Sequence, residues 1–400
     1  MKVSNPYGIV GSIYANYIIQ SISLIVIMQF SLALSQQLDT DLVGIGYVAS
    51  GIGIGKILLM FVGGILSDKY GRKPFIFIGM TCYASFYIGM LFCTDIHVAF
   101  FLAILVGAGN SFLDTGSMPA LTENFPRAAG TASVLIKAFI SIGTLILPFI
   151  VAFIYSNELW FGWAFMGFLA FLAINALLLL PKKFPSKNTV IAGSASAEGD
   201  TNYFIGKPNM FLEGVCLIIM GFTTTATFAI IMQWMPEIAK QAVGMEMTEA
   251  SKLISYYSIG SIISVFFTAY IVKKHVKPLY CIIILPLLSG LILLMFLFNI
   301  SPLMCKIVAF GMGFTAAGGV LQLTLVVMQQ LFPSRKGFAV GIVYTLSGFS
   351  FIVIPLIVPT LALTDVRYVI VLNMLIAFAS VLLASIVYFR FKKVIDMKKI

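Results

Sequence analysis

Apolar residues run in long stretches along almost the whole chain, separated by short polar breaks. A helix rises about 1.5 Å per residue, so a run of roughly 20 apolar residues crosses the ~30 Å hydrocarbon core of a bilayer. Twelve such runs can be read, over residues 8–34, 42–66, 74–93, 97–120, 129–155, 160–180, 209–235, 250–272, 279–299, 303–331, 337–361 and 367–390. The breaks between them are short, with one exception. From Pro181 to Pro208 the chain holds Lys182, Lys183, Lys187 and a Gly/Ser/Ala-rich piece from Gly193 to Gly199, which predicts a flexible linker. The pattern predicts an all-α membrane protein with a six-helix bundle over 1–180, a linker over 181–208 and a second bundle over 209–400. The first run continues past Gln20 to Leu34 at spanning length, so no cleavable signal is expected.

The two halves repeat. Phe125–Pro126, Gly130 and Pro148 recur as Phe332–Pro333, Gly337 and Pro355, each shifted by 207 positions. Lys73–Pro74 has a counterpart in Lys277–Pro278, after the basic turn Lys273, Lys274 and His275. A parallel repeat of this kind predicts two pseudo-symmetric bundles that rock about a central site near the bilayer midplane.

Composition then settles what the patterning leaves open. The 400 residues are 60% hydrophobic and 10% charged, with a mean hydropathy of +1.04, values that exclude a water-soluble globule. A formal charge of +10 could suggest nucleic acid as a partner, but its placement argues otherwise. Nineteen of the 25 lysines and arginines fall on one side of the predicted spans, in alternate breaks and at both ends of the chain. Lys240, Lys252, Lys306 and Arg367 fall on the other side, and Lys56 and Lys137 lie inside runs. The bias predicts that both termini are cytoplasmic and that the positive charge faces anionic lipid. The five cysteines, Cys82, Cys93, Cys216, Cys281 and Cys305, have no paired spacing, so no disulfide framework or metal site is expected.

The break between the second and third runs, Gly63-Gly64-Ile65-Leu66-Ser67-Asp68-Lys69-Tyr70-Gly71-Arg72-Lys73-Pro74, packs charges of both signs among glycines. Gly71 permits a sharp reversal, and Arg72 and Lys73 hold the turn at the cytoplasmic surface. The pattern resembles the signature of the major facilitator superfamily, Gly-x-Leu-[Ala/Ser]-Asp-[Arg/Lys]-x-Gly-Arg-[Lys/Arg], with Gly64, Leu66, Ser67, Asp68, Lys69, Gly71, Arg72 and Lys73 in register. The resemblance implies the fold of that family, a functional monomer and a gating role in which Asp68 meets the start of the eleventh span. A solvated turn without a gating role is the alternative.

Ionisable residues inside a membrane are costly and are therefore candidates for function. Lys56, Asp114 and Lys137 stand inside predicted spans. Asp114 and Lys137 fall at comparable depths on consecutive antiparallel spans, so the two can pair. As a coupling device, Asp114 would exchange a proton and Lys137 would switch to a solute carboxylate or hydroxyl; as a static ion pair, they would only fix packing. Lys56, flanked by Gly51, Gly53 and Gly55, either snorkels or faces an aqueous cavity. The heptapeptide Leu113-Asp114-Thr115-Gly116-Ser117-Met118-Pro119 also resembles the fourth helix of the fucose–proton symporter branch, which implies a part for Asp114 in solute binding and proton coupling. That branch has an aspartate in its first helix, whereas this first run offers Asn16, Tyr17, Gln20, Ser23 and Gln29. Coupling by the same pair of carboxylates is thus not implied.

Neutral candidates for a solute site are spread over both halves: Gln29, Asn110, Gln233, Trp234, Tyr256, Tyr257, Gln322, Gln329, Tyr344 and Asn373. Tyr344 is the repeat-mate of Lys137, which predicts that the two face each other. Aromatic planes with hydroxyl and amide groups suit a hydroxylated ring, and a lysine suits an attached carboxylate.

The function expected is secondary active transport of a sugar or a hydroxylated organic acid, with protons as coupling ion and no cofactor. Drug efflux is the alternative; it is weakened because Ala103 stands where many proton-coupled relatives have arginine, and because Gly143 and Pro148 lack the Gly-Pro pair of drug antiporters. A lipid flippase or membrane sensor is the reading from another class. No enzyme is expected, since His97 and His275 form no metal cluster and no nucleotide-binding or Ser/His/Asp pattern is present.

Overall fold

The computed structural model describes residues 6–124, 129–182, 184, 205–274, 276–332 and 336–395, and they are helical nearly throughout. Among the described residues, twelve helices are long and apolar enough to span a membrane. By spatial clustering the chain forms two units. The first holds Met1–Ser196 with Glu246–Ser255 and Phe351–Pro359; the second holds Ala197–Met245, Tyr256–Ser350 and Thr360–Ile400.

In the first unit α1 spans Pro6–Gln29, α2 Ser31–Gln37, α3 Leu42–Tyr70, α4 Arg72–Phe92, α5 Ile96–Asn124, α6 Ala129–Ser156 and α7 Gly162–Leu179. The first apolar run is thus two helices, interrupted at Phe30 (φ −103°, ψ 23°). Asp95 starts α5: its carboxylate accepts the N–H groups of His97 and Val98 at 2.8 and 3.0 Å, which holds its carboxyl below the usual range.

The signature stretch is less of a loop than expected. Nothing from Gly64 to Tyr70 forbids a helix, and α3 runs through all of it; Gly71 alone makes the reversal, at φ +94°. Arg72 donates to Ser67 Oγ at 3.2 Å, and Ser67 donates to the Thr115 carbonyl of α5 at 2.9 Å. Lys73 reaches the end of α7 and donates to the carbonyls of Leu180 (2.6 Å) and Lys182 (2.9 Å). An ammonium on the orphaned carbonyls of a helix C-terminus satisfies them and complements the helix dipole. Lys73→Met is therefore expected to lower stability by roughly 0.5–1 kcal/mol, seen as a lower thermal midpoint of the detergent-solubilised protein. An unchanged midpoint would mean that solvent already satisfies those carbonyls. The side chains of Asp68 and of the first turn of the eleventh span lie outside the described residues, as do Phe125–Pro126 and Pro333 altogether.

Glycines set how closely α5 lies against its neighbours. A methyl group on Gly51 would stand 2.7 Å from the Phe100 carbonyl oxygen, and one on Gly79 would stand 2.9 Å from that of Gly109. Backbones approach this closely only where side chains are absent, and such contacts hold helices together where no hydrophobic force does. In the second unit α8 spans Val215–Val243, α9 Met247–Ser251, α10 Leu253–Lys274, α11 Pro278–Phe298, α12 Pro302–Met312, α13 Val320–Leu331, α14 Lys336–Thr364 and α15 Val366–Val394; α9 and the first residues of α10 cluster with the first unit. Helices α6 and α14 begin 207 positions apart, and Pro148 and Pro355 occupy the same place within them.

Two boundaries depart from the apolar pattern. Helix α8 continues past Pro236 to Val243, eight residues beyond the run. The tenth run is broken: α12 ends in a π turn at Gly313–Ala317, and Gly319 (φ +123°) precedes α13. A turn Met210–Gly214 precedes α8, and its fully buried Glu213 is paired with Arg390 of α15 at 2.9 Å and accepts the Asn209 N–H at 3.0 Å. A charge so buried persists only with such partners.

Candidate functional site

Asp114 lies one turn beyond Asn110 on α5, so the two share a face. That face meets Tyr17 and Gln20, three apart on α1. Gln20 Nε2 donates to Asn110 Oδ1 at 2.7 Å and to Asp114 Oδ1 at 3.2 Å, and Tyr17 stands beside the same carboxylate. Lys56 of α3 exerts the strongest charge on Asp114, with Lys137 of α6 a weaker one. Neither ammonium comes within 4.0 Å of the carboxylate. The carboxylate's hydrogen bond thus comes from a neutral amide, while two lysines act on it through space. Tyr83 of α4 is fully buried nearby and feels the same charge.

Local packing explains why these groups meet. Ser111 Oγ donates to the Lys56 carbonyl at 2.8 Å, pinning α3 to α5 one turn from Asp114. The rings of Tyr14 and Phe139 stack at 4.6 Å and 2°, which fixes α1 against α6 two residues from Lys137. The Lys56 ammonium lies 5.2 Å from the centroid of Phe351, a cation–π contact with a segment that clusters with this unit. Among the described residues the Lys137 ammonium has no hydrogen-bond or ion-pair partner.

Polar capacity is left over. Gln20 Oε1 and Asn110 Nδ2 are buried without a hydrogen-bond partner among the described residues, as is the Tyr83 hydroxyl. Gln29 is fully buried with both amide atoms unpartnered, but it stands nine residues along α1 from Gln20. Asn16 is held by Asn175, whose Nδ2 donates to its Oδ1 at 2.7 Å.

The other sequence candidates lie in the second unit. Gln233 and Trp234 are buried on α8, and Gln233 Oε1 and Trp234 Nε1 lack partners among the described residues. Asn373 of α15 donates to the Thr227 carbonyl at 3.3 Å and leaves its Oδ1 unpartnered. Gln322 and Gln329 are partly exposed on α13, and Tyr344 of α14 packs on the core around Leu217, Met220 and Val343. Tyr256 is 40% exposed, and its neighbour Tyr257 is the one that turns inward. Sequence reasoning passed over Tyr17 and Gln20 as partners and left Lys56 undecided; the i, i+3 spacing of two polar residues in an apolar run was the available signal.

The Major Facilitator Superfamily model matches residues 12–355, and again 217–396. The chain belongs to this superfamily. Curated relatives match along nearly their whole length. The "Inner membrane transport protein YdiN" of Escherichia coli K12 is 37% identical over 96% of this chain and 90% of its own. The "Uncharacterized MFS-type transporter YfkL" of Bacillus subtilis 168 is 36% identical over 95% and 96%, and YdiM of Escherichia coli K12 is 34% identical over 98% and 96%. The crystal structure of a D-xylose–proton symporter superposes with a TM-score of 0.73 at 14% identity, covering 96% of this chain and 98% of that one; at that identity the likeness is one of fold. The chain is a multi-pass membrane transporter of the major facilitator fold, and it is not an enzyme.

Proposed function

We propose that this superfamily member is a secondary active transporter that moves a small polar solute, a sugar or a hydroxylated organic acid, across the cytoplasmic membrane by alternating access, with protons as the coupling ion. The observation that carries the reading is the Asp114 carboxylate, set inside a membrane span and hydrogen-bonded by Gln20 without a direct ion pair. A carboxylate so placed can take up and release a proton without first breaking a salt bridge. Proton coupling in the D-xylose symporter supports the choice of ion. The basic residues at both ends of the chain support cytoplasmic termini, and binding groups in each unit suit a monomer as the working unit.

The test is uptake into proteoliposomes under an inward proton gradient, with sugars and hydroxylated acids as probes. Gradient-dependent accumulation of one of them is the expected result. Extrusion of lipophilic cations with no polar solute entering would replace this reading with drug efflux.

A further inference from the structure

Three charged groups of the first unit lie well inside its membrane spans among the described residues: Lys56, Asp114 and Lys137. Two are cationic and one is anionic. Asp114 takes its hydrogen bond from Gln20, and neither lysine lies in a direct pair with it. Among the described residues Lys56 has an aromatic face and no paired anion, and Lys137 has no polar partner; the two also repel each other. An uncompensated cation in a low-dielectric interior is costly, and such a site favours a ligand that brings the missing negative charge. The adjoining free acceptor Gln20 Oε1 and free donor Asn110 Nδ2, on amides already bonded to each other, match one hydroxyl group, which both donates and accepts.

From this arrangement we infer that the transported solute is a hydroxylated monocarboxylate whose carboxylate docks on Lys56 and Lys137 and whose hydroxyl meets Gln20 and Asn110, and that it travels with one proton in an electroneutral step. This rests on the transport reading above. Lys56, Lys137 and Asp114 set the charge of the site. With Asp114 ionised the unloaded site carries +1. The anion contributes −1 and the proton that settles on Asp114 contributes +1, so the loaded site again carries +1. Coupling follows from the same groups: once the solute's carboxylate occupies the lysines, their field no longer favours ionised Asp114, and the proton binds. The groups facing that carboxylate are Tyr17 and Gln20 from α1, Lys56 from α3, Tyr83 from α4 and Lys137 from α6, so no second carboxylate competes for the proton among the described residues.

The experiment uses the purified full chain and matched probes, D-gluconate against D-glucose and D-glycerate against glycerol. Thermal stabilisation gives affinity, and proteoliposome uptake is measured with a proton gradient, with and without a valinomycin-imposed potential. The acid of at least one pair is expected to bind ten-fold or more tightly than its neutral partner. Lys137→Gln should weaken it at least ten-fold while Lys137→Arg preserves it, and uptake should follow the proton gradient but not the potential. The potential measurement on the unmodified protein stands even where a variant does not fold. Equal or better binding of the neutral members, silence from both acids, or uptake driven by the potential would each overturn the inference. Glucose or glycerol accumulating with the proton gradient would sink the anion while leaving proton-coupled transport intact, whereas drug extrusion with no polar uptake would sink both.

Discussion

Asp114→Asn is expected to abolish accumulation while sparing exchange. An inward gradient of one pH unit is worth about 1.4 kcal/mol per proton, so a carrier that moves one proton per solute accumulates about ten-fold. Asparagine matches aspartate in shape and its Oδ1 can still accept from Gln20, so the contact between α1 and α5 survives. The amide cannot exchange a proton in the working pH range. Inside and outside concentrations should therefore level at a ratio near one, while solute-for-solute exchange, which needs no net proton movement, continues within a few-fold of the parent rate. Asp114→Glu, which keeps the acid and lengthens it by a methylene, should regain part of the accumulation. Accumulation by Asp114→Asn equal to that of the parent would remove Asp114 from coupling and leave it a packing group. Loss of exchange together with accumulation would instead make it a group needed for solute binding.

The fold was legible in the sequence because a bilayer punishes unsatisfied backbone and charge so severely that composition alone marks the spans. The twelve apolar runs correspond to the twelve helices of spanning length among the described residues. What escaped was local. Phe30 interrupts the first run with no glycine or proline to announce it, and the tenth breaks at Gly318–Gly319 inside an apolar stretch where only the paired glycines hint at a stop. Conversely, the charged run Asp68–Lys69–Tyr70 reads as a loop yet continues a helix, because charge at a membrane edge does not oppose helical dihedrals. The site divides the same way. Asp114 and Lys137 stand out as charges in apolar runs, but the partners that decide their chemistry do not. Gln20 lies 94 positions from Asp114, and a neutral amide in an apolar helix carries no mark of what it will face. The leading electrostatic role of Lys56 depends on how closely α3 meets α5, a property of glycines read only as flanking residues.

That close approach is the second point at which a single change should have a large effect. A methyl group on Gly107 would stand 2.6 Å from the Lys56 amide nitrogen and closer still to the Ile52 carbonyl oxygen, and both neighbours are helical backbone that no rotamer change can move. Helices α3 and α5 must separate to admit it. Overpacking of this kind costs about 1–3 kcal/mol in a core that can yield, and backbone against backbone belongs at the upper end. Gly107→Ala is therefore expected to lower the thermal midpoint in detergent markedly, and Gly107→Leu to leave no monodisperse protein on size exclusion. Gly167→Ala on α7, where a methyl group meets nothing within 4 Å, is the matched control and should behave as the parent. The clash falls on Lys56 itself, one turn from the Ser111 bond that locates it. Whatever Gly107→Ala protein survives should hence carry a displaced Lys56 and accumulate solute poorly even below its melting temperature. If instead stability falls and accumulation per folded molecule does not, the position of Lys56 is immaterial to transport, and the cationic half of the site reduces to Lys137.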